Sequence, residues 1–136
     1  MTTRFAGRRA VVTGASRGIG AAVAERLAAE GAAVALVART AEAHDHLAGS
    51  LQDTAERLRK FGQSIGVVVA DLTVDTDRAR VIAEAADVLG GPIDVLVNNA
   101  AAAIYGHLAD MSLKRRRILF EANVHAPVDL SQAAIP

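Results

Sequence analysis

The 136-residue chain contains no cysteine, which excludes disulfide bonds and cysteine-ligated metal sites and fits a reducing compartment. It has no tryptophan, one tyrosine and three phenylalanines, too few ring faces for a protein that stacks on single-stranded bases. Neither charge sign is in excess: 15 Lys and Arg stand against 15 Asp and Glu. No broad positive field is therefore available to hold a phosphate backbone. Long hydrophobic runs are missing as well. The runs present, such as Val67 to Ala70, are strand-sized and far short of a membrane span. The first residues carry basic side chains but no apolar run of signal-peptide length. The expectation is a cytoplasmic protein with neither a nucleic-acid nor a membrane partner.

What the chain does have is apolar bulk. About half of it (51%) is hydrophobic, enough to fill one core, and its length suits one compact domain over residues 1–136. Short β-branched runs alternate with Ala-rich segments at helical spacing. Arg9 to Thr13 reads as a strand, Gly14 to Gly20 as a glycine-rich turn and Ile19 to Glu30 as a helix with Val23 and Leu27 on one face. Ala33 to Ala38 is nearly continuous in apolar residues, the mark of a strand buried on both sides. Thr40 to Gly49 is polar and mixed, a loop. Leu51 to Phe61 reads as a helix carrying Leu51, Ala55, Leu58 and Phe61 inward, and Ile65 to Ala70 as a third strand. Asp75 to Leu89 follows as a helix with Val81, Ala85, Val88 and Leu89 as its inner stripe, stopped by Gly90-Gly91-Pro92. Ile93 to Val97 is a fourth strand, Asn98 to Gly106 a loop, and a last helix begins near Ser112, with Pro127 expected to kink or break it. Strand–helix repetition of this kind predicts an α/β fold, a doubly wound parallel sheet with right-handed crossovers.

The turn Thr13-Gly14-Ala15-Ser16-Arg17-Gly18-Ile19-Gly20 has the spacing G-x-x-x-G-x-G, a relative of the dinucleotide fingerprint with its gaps in another order. Gly14 permits a sharp turn off the strand, Gly18 keeps side chains away from a diphosphate, and Gly20 lets the helix pack closely. The helix start then presents free N–H groups and a positive dipole end. A glycine-rich turn without any ligand is the plainer alternative, weakened by the turn's place between a buried strand and a helix.

This turn resembles the cofactor turn of the short-chain dehydrogenase/reductase family, and further matches follow in order. Asp71-Leu72 after the third strand resembles the family's acidic pair at the adenine. Asn98-Asn99-Ala100-Ala101 resembles its N-N-A-G signature, with Ala101 in place of the usual glycine. Asn123, in FEANVHAP, resembles the helix Asn of the catalytic set. The resemblance covers essentially the whole chain and implies a Rossmann fold, here its N-terminal portion with strand order 3-2-1-4. It implies cofactor contacts from Gly14, Ser16, Arg17, Gly18, Ile19, Gly20, Arg39, Asp71, Leu72, Asn99, Ala100 and Ala101. Asn99 and Ala100 would lie under the nicotinamide ribose, and Asp71 would accept from the adenine amino group or simply cap the segment after its strand. An NAD site places a carboxylate at the end of the second strand. By the family pattern that position is Ala38, followed by Arg39, whose guanidinium suits a 2′-phosphate, with Arg17 able to approach from the turn. The expected cofactor is NADP(H), the reaction hydride transfer to or from a carbonyl or alcohol substrate, and the intact protein a homo-oligomer. Solvated surface arginines are the alternative.

The family's chemistry also needs a Tyr with a Lys four residues later and a preceding Ser. The Tyr hydroxyl, titrating near 10 in isolation, works near neutrality only beside such a cation. Here the sole tyrosine is Tyr105, followed four residues on by Ala109, and Ser131 is out of place. Of the catalytic set only Asn123 is represented, and its plain role is a polar helix residue with a local backbone bond. The expectation is a truncated or fragmentary product, inactive alone, with the fourth strand an exposed edge prone to aggregation. A non-catalytic nucleotide-binding fragment is the alternative, and a different Rossmann enzyme such as a methyltransferase a weaker one. No metal site is expected. His44 and His46 lack a third ligand, His107 and His125 are isolated, and Lys114 to Arg117 circles a helix start rather than forming a patch. Asp75 and Asp77 suit a helix N-terminus.

Overall fold

The computed structural model describes residues 3–40 and 50–136. Four strands form one parallel sheet in the order β3-β2-β1-β4: β1 (Arg9–Thr13), β2 (Ala33–Ala38), β3 (Ile65–Val69) and β4 (Val95–Val97). Val11 lies between Ala35 on one side and Leu96 on the other, and Leu36 pairs with Val67. The helices are α1 (Gly18–Ala29), α2 (Leu51–Arg59), α3 (Asp75–Leu89), α4 (Leu113–Phe120) and α5 (Ala126–Ala134).

Strand alternation sorts the core into two layers. Ala10, Val12, Val34 and Leu36 face α1 and α2, where they meet Leu27, Leu51 and Leu58. Val11, Ala35, Val37 and Val68 face the opposite way, against Val81, Ala85 and Leu89 of α3 and Leu130 of α5. β1 and β2 are thus buried on both faces, as their unbroken apolar sequences require, and the sheet is doubly wound.

The expected elements hold within a residue or two, with physical reasons where they differ. β4 begins at Val95, because the Asp94 carboxylate occupies the Arg9 N–H at 2.8 Å. α2 ends at Arg59, where Phe61 and Gly62 donate in tighter turns and Gly62 takes φ 76°. Val88 is half exposed (49%), not part of the inner stripe of α3; Arg78 and Ile82 complete that stripe instead. Val88 lies at the sheet margin over Gly66, whose missing Cβ leaves room for its methyl group. Pro127 does not break the last helix. A five-residue π-turn, Glu121–His125, stands between α4 and α5, so the ladder is already widened where the proline N–H is missing. Among the described residues β4 pairs only with β1, and beside its other edge runs a groove of about 450 Å³ lined by Leu96, Asn98, Ser131 and Ile135. The expected loop of residues 40–49, with His44 and His46, falls outside the described residues beyond Thr40. No helix among the described residues is long and apolar enough to cross a membrane.

One buried charge sits far from the glycine turn. Glu30, 2% exposed at the C-terminal end of α1, accepts from Arg4 Nε and Nη2 at 2.6 and 2.8 Å and from Arg26 Nε. A carboxylate is unfavourable at a helix C-terminus, and the two guanidiniums offset that. The Arg4 hydrogen bonds pull the Glu30 carboxyl down to about 2, against burial, with Arg26 adding to the effect. A carboxyl held lower when folded contributes stability above its unfolded value, near 4.5, and loses it as pH falls toward about 2. Glu30→Gln is therefore expected to flatten the dependence of stability on pH across that window. Urea midpoints measured at a series of pH values check it; equal acid slopes in both proteins would contradict the pairing.

Candidate functional site

The residues singled out by their sequence motifs converge on one place, the C-terminal ends of the strands, with β1 flanked by β2 and β4. In an open α/β sheet this is the crevice outside the topological switch point. Residues 14–20 leave β1 there, Arg39 leaves β2, Asp71 and Leu72 leave β3, and residues 98–101 leave β4.

The turn after β1 is held by its glycines and by the loop after β4. Gly14 has φ 64° and Gly18 φ 59°, left-handed conformations that a side chain resists. A Cβ at Gly14 would stand 2.9 Å from Asn99 Nδ2 and 3.0 Å from Ala100 Cα. One at Gly20 would collide with the Gly14 carbonyl and lie 2.6 Å from Asn99 Nδ2. Gly20 thus serves close packing of helix against turn, more than of helix against sheet. A Cβ at Gly18 meets nothing within 4 Å, so that side of the turn is open.

Thr13, quoted with the turn but given no role by its motif, joins the two strands. Its hydroxyl, on a residue only 1% exposed, accepts from the N–H groups of Asn99 (3.1 Å) and Ala100 (3.0 Å) and donates to the Val97 carbonyl. Asn99 Nδ2 donates to the carbonyls of Thr13 and Gly14 at 3.1 and 3.2 Å. The Asn99 side-chain nitrogen therefore braces the turn. Asn98 Nδ2 donates to Ser131 Oγ at 3.3 Å. Asn123 sits in the π-turn and bridges to the same loop: its Oδ1 accepts from the Ala102 N–H and its Nδ2 donates to the Ala102 carbonyl, at 2.9 and 2.8 Å. That is a bond across 21 residues, not the local one its plain reading supposed. Ala101 is exposed, and no non-glycine residue among those described has positive φ, so alanine fits there without backbone strain.

Within the turn, no acceptor among the described residues takes the backbone N–H of Ser16, Arg17, Gly18, Ile19 or Gly20. Ile19 is 75% exposed beside them. Arg17 and Arg39 are exposed, and neither forms an ion pair with a described residue. The site edge after β3 is an Asx-type turn: Asp71 Oδ1 accepts from Thr73 N–H and Oγ1, and the Asp71 N–H donates to Asp77 Oδ2 at 2.7 Å. That backbone bond holds the Asp77 carboxyl below the usual range, against burial and with Arg80 adding. Leu72 is buried in the second core layer, so its side chain turns away from the crevice. Gly14, Gly20, Asn99 and Ala100 are thus in direct contact, Asn123 joins them through Ala102, and Arg17, Arg39 and Asp71 stand around the rim. His107, His125 and Lys114 to Arg117 are exposed, and no metal-binding cluster occurs among the described residues.

Comparison with known proteins agrees with this arrangement. The profile of the family described as short chain dehydrogenase matches residues 8–136. The human hydroxysteroid dehydrogenase-like protein 2 is 34% identical over 99% of this chain, which spans 32% of that protein's length. A short chain dehydrogenase from Burkholderia cenocepacia, solved in complex with NADP, superposes with a TM-score of 0.87 at 36% identity, covering 96% of this chain and 51% of that one. A blue fluorescent protein from a metagenomic library, solved in complex with NADPH, gives 0.86 at 35% identity over 96% and 51%. The chain thus spans between about a third and a half of these relatives. With the sheet order, the glycine turn and the Asn99 brace in the same molecule, the chain belongs to the short chain dehydrogenase family.

Proposed function

We propose that the chain is the NADP(H)-binding part, a truncated Rossmann domain over residues 1–136, of an oxidoreductase that transfers hydride between NADP(H) and a carbonyl or alcohol. The observation that carries this reading is the run of N–H groups at residues 16–20 that no described residue accepts, opening beside Gly18. Donors aimed outward from a helix start suit a diphosphate, and the absence of a Cβ at Gly18 leaves it room. When bound, NADPH supplies the hydride; the chain binds and orients it. Arg39 clasps the 2′-phosphate with Arg17 opposite, Asp71 meets the adenine, and Gly14, Ser16, Ile19 and Gly20 shape the phosphate turn. The backbone of Leu72, Asn99, Ala100 and Ala101 borders the adenosine and the nicotinamide ribose.

Asn123 is the one member of the catalytic set that we assign here, and it acts by fixing Ala102 at the crevice. The sequence holds no Tyr-x-x-x-Lys, and in this proposal the chain alone binds cofactor without turnover. Substrate binding and assembly of copies belong to the full-length protein in the same proposal.

Fluorescence titration tests it. NADPH is expected to bind more tightly than NADH, and Arg39→Ala to weaken NADPH by about tenfold, as loss of a charge-assisted hydrogen bond implies, while leaving NADH nearly unchanged. Equal loss for both cofactors would remove Arg39 from the 2′-phosphate, and measurable reductase activity of the 136-residue chain would refute the missing catalytic group.

A further inference from the structure

α2 contributes no residue to the crevice, yet it reaches the phosphate turn through one side chain. Thr54 is fully buried (0% exposed), and its Oγ1 donates to the Ser16 carbonyl at 3.0 Å, across 38 residues of sequence. A threonine inside a helix ordinarily returns its hydroxyl to the carbonyl one turn back. Here the hydroxyl crosses to another element instead. Among the described residues it makes the only hydrogen bond between α2 and the turn.

We infer that Thr54 is a positioning residue for diphosphate binding: it orients the Ser16–Arg17 peptide so that the Arg17 N–H faces the cofactor. This role rests on the cofactor reading above and on peptide geometry. A trans peptide is planar, with C=O and N–H pointing to opposite sides. Holding the Ser16 carbonyl against α2 therefore turns the Arg17 N–H away from α2. That N–H has no acceptor among the described residues. α2 is a firm platform for the purpose. Ser50 Oγ caps its start by accepting from the Asp53 N–H at 3.0 Å, and Leu51, Ala55 and Leu58 are buried in the same layer as Ala15 of the turn. Without the hydroxyl the peptide is free to rotate, and the turn loses a preset donor. The donor must then be ordered when ligand arrives.

Two ligands separate positioning from general packing. NADPH carries the diphosphate that the Arg17 N–H would meet; adenosine 2′-monophosphate lacks it and reaches only the adenine side and the Arg39 and Arg17 side chains. Thr54→Val keeps the shape and removes the hydroxyl. It is expected to weaken NADPH about tenfold and adenosine 2′-monophosphate much less, while Thr54→Ser restores NADPH binding. Should Thr54→Val fail to fold, Thr54→Ser and Thr54→Ala differ by the hydroxyl alone, and the serine variant should bind NADPH about tenfold better. Unaltered NADPH binding by the valine variant, equal loss for both ligands, or equal binding by the serine and alanine variants would overturn the inference while leaving the cofactor reading intact. No NADPH binding by the unmodified chain would overturn both.

Discussion

Gly20→Ala is expected to cost about 3 kcal/mol of stability, the upper end of what an extra methyl group costs in a filled space, and to abolish NADPH binding. The sign is the reverse of what helix propensity gives. Glycine inside a helix is normally about 1 kcal/mol worse than alanine, and Gly20 lies within α1. Packing wins because the added Cβ would meet the Gly14 carbonyl and stand 2.6 Å from Asn99 Nδ2. Neither can retreat cheaply. The carbonyl belongs to the turn itself, and Nδ2 is bonded to both Thr13 and Gly14. Relief requires pushing α1 off the turn, which would scatter the N–H groups of residues 16–20. Thermal melting should show a fall of about 10 °C. A variant that melts like the parent and still binds NADPH would show that the turn tolerates a wider spacing, against the present account of that glycine.

Arg78→Met is expected to destabilise the opposite face of the sheet. The guanidinium is 6% exposed and serves three elements: Nε bonds Asp129 of α5 at 2.8 Å, and Nη1 bonds Glu121 of the π-turn at 2.6 Å and the Leu72 carbonyl at 3.1 Å. Methionine fills similar space but leaves two carboxylates and a carbonyl unpaired. Breaking a buried pair costs about 3–5 kcal/mol. Glu121 and Asp129 keep 35% and 43% exposure, so water can reach them, and about 2 kcal/mol is the better expectation. Urea unfolding measures the total, and amide exchange locates it: protection in α5 and the π-turn should fall more than in β1 or α1. A uniform loss would mean that Arg78 does not join these elements in particular.

Apolar continuity made much of the fold legible. The runs at Arg9–Thr13 and Ala33–Ala38 gave β1 and β2 their limits, and Asp75–Leu89 gave α3. Hidden were features set by single polar groups reaching across the fold. The start of β4 depends on the Asp94 carboxylate meeting a backbone N–H 85 residues away. Two signals in the helices could have been used. Leu51, Thr54, Ala55 and Leu58 form one stripe, so a threonine among them had to find a buried partner. Arg78 likewise stands one turn before Val81 and Ile82 on the inner face of α3. The turn residues were recognisable as a group, but their division of labour was not. Asn99 braces Gly14 with its side chain, and Leu72 turns its side chain into the core; neither fact is written in a motif.

Thr13 has a consequence for how ligand would be received. One hydroxyl ties the loop after β4 to the last residue of β1, and Asn99 ties it again to the next residue of the turn. The two walls of the cleft are stapled together, so its width is fixed beforehand and is not available for clamping. Association should resemble a key entering a finished lock, with a small heat-capacity change and little new exchange protection in β1 and β4.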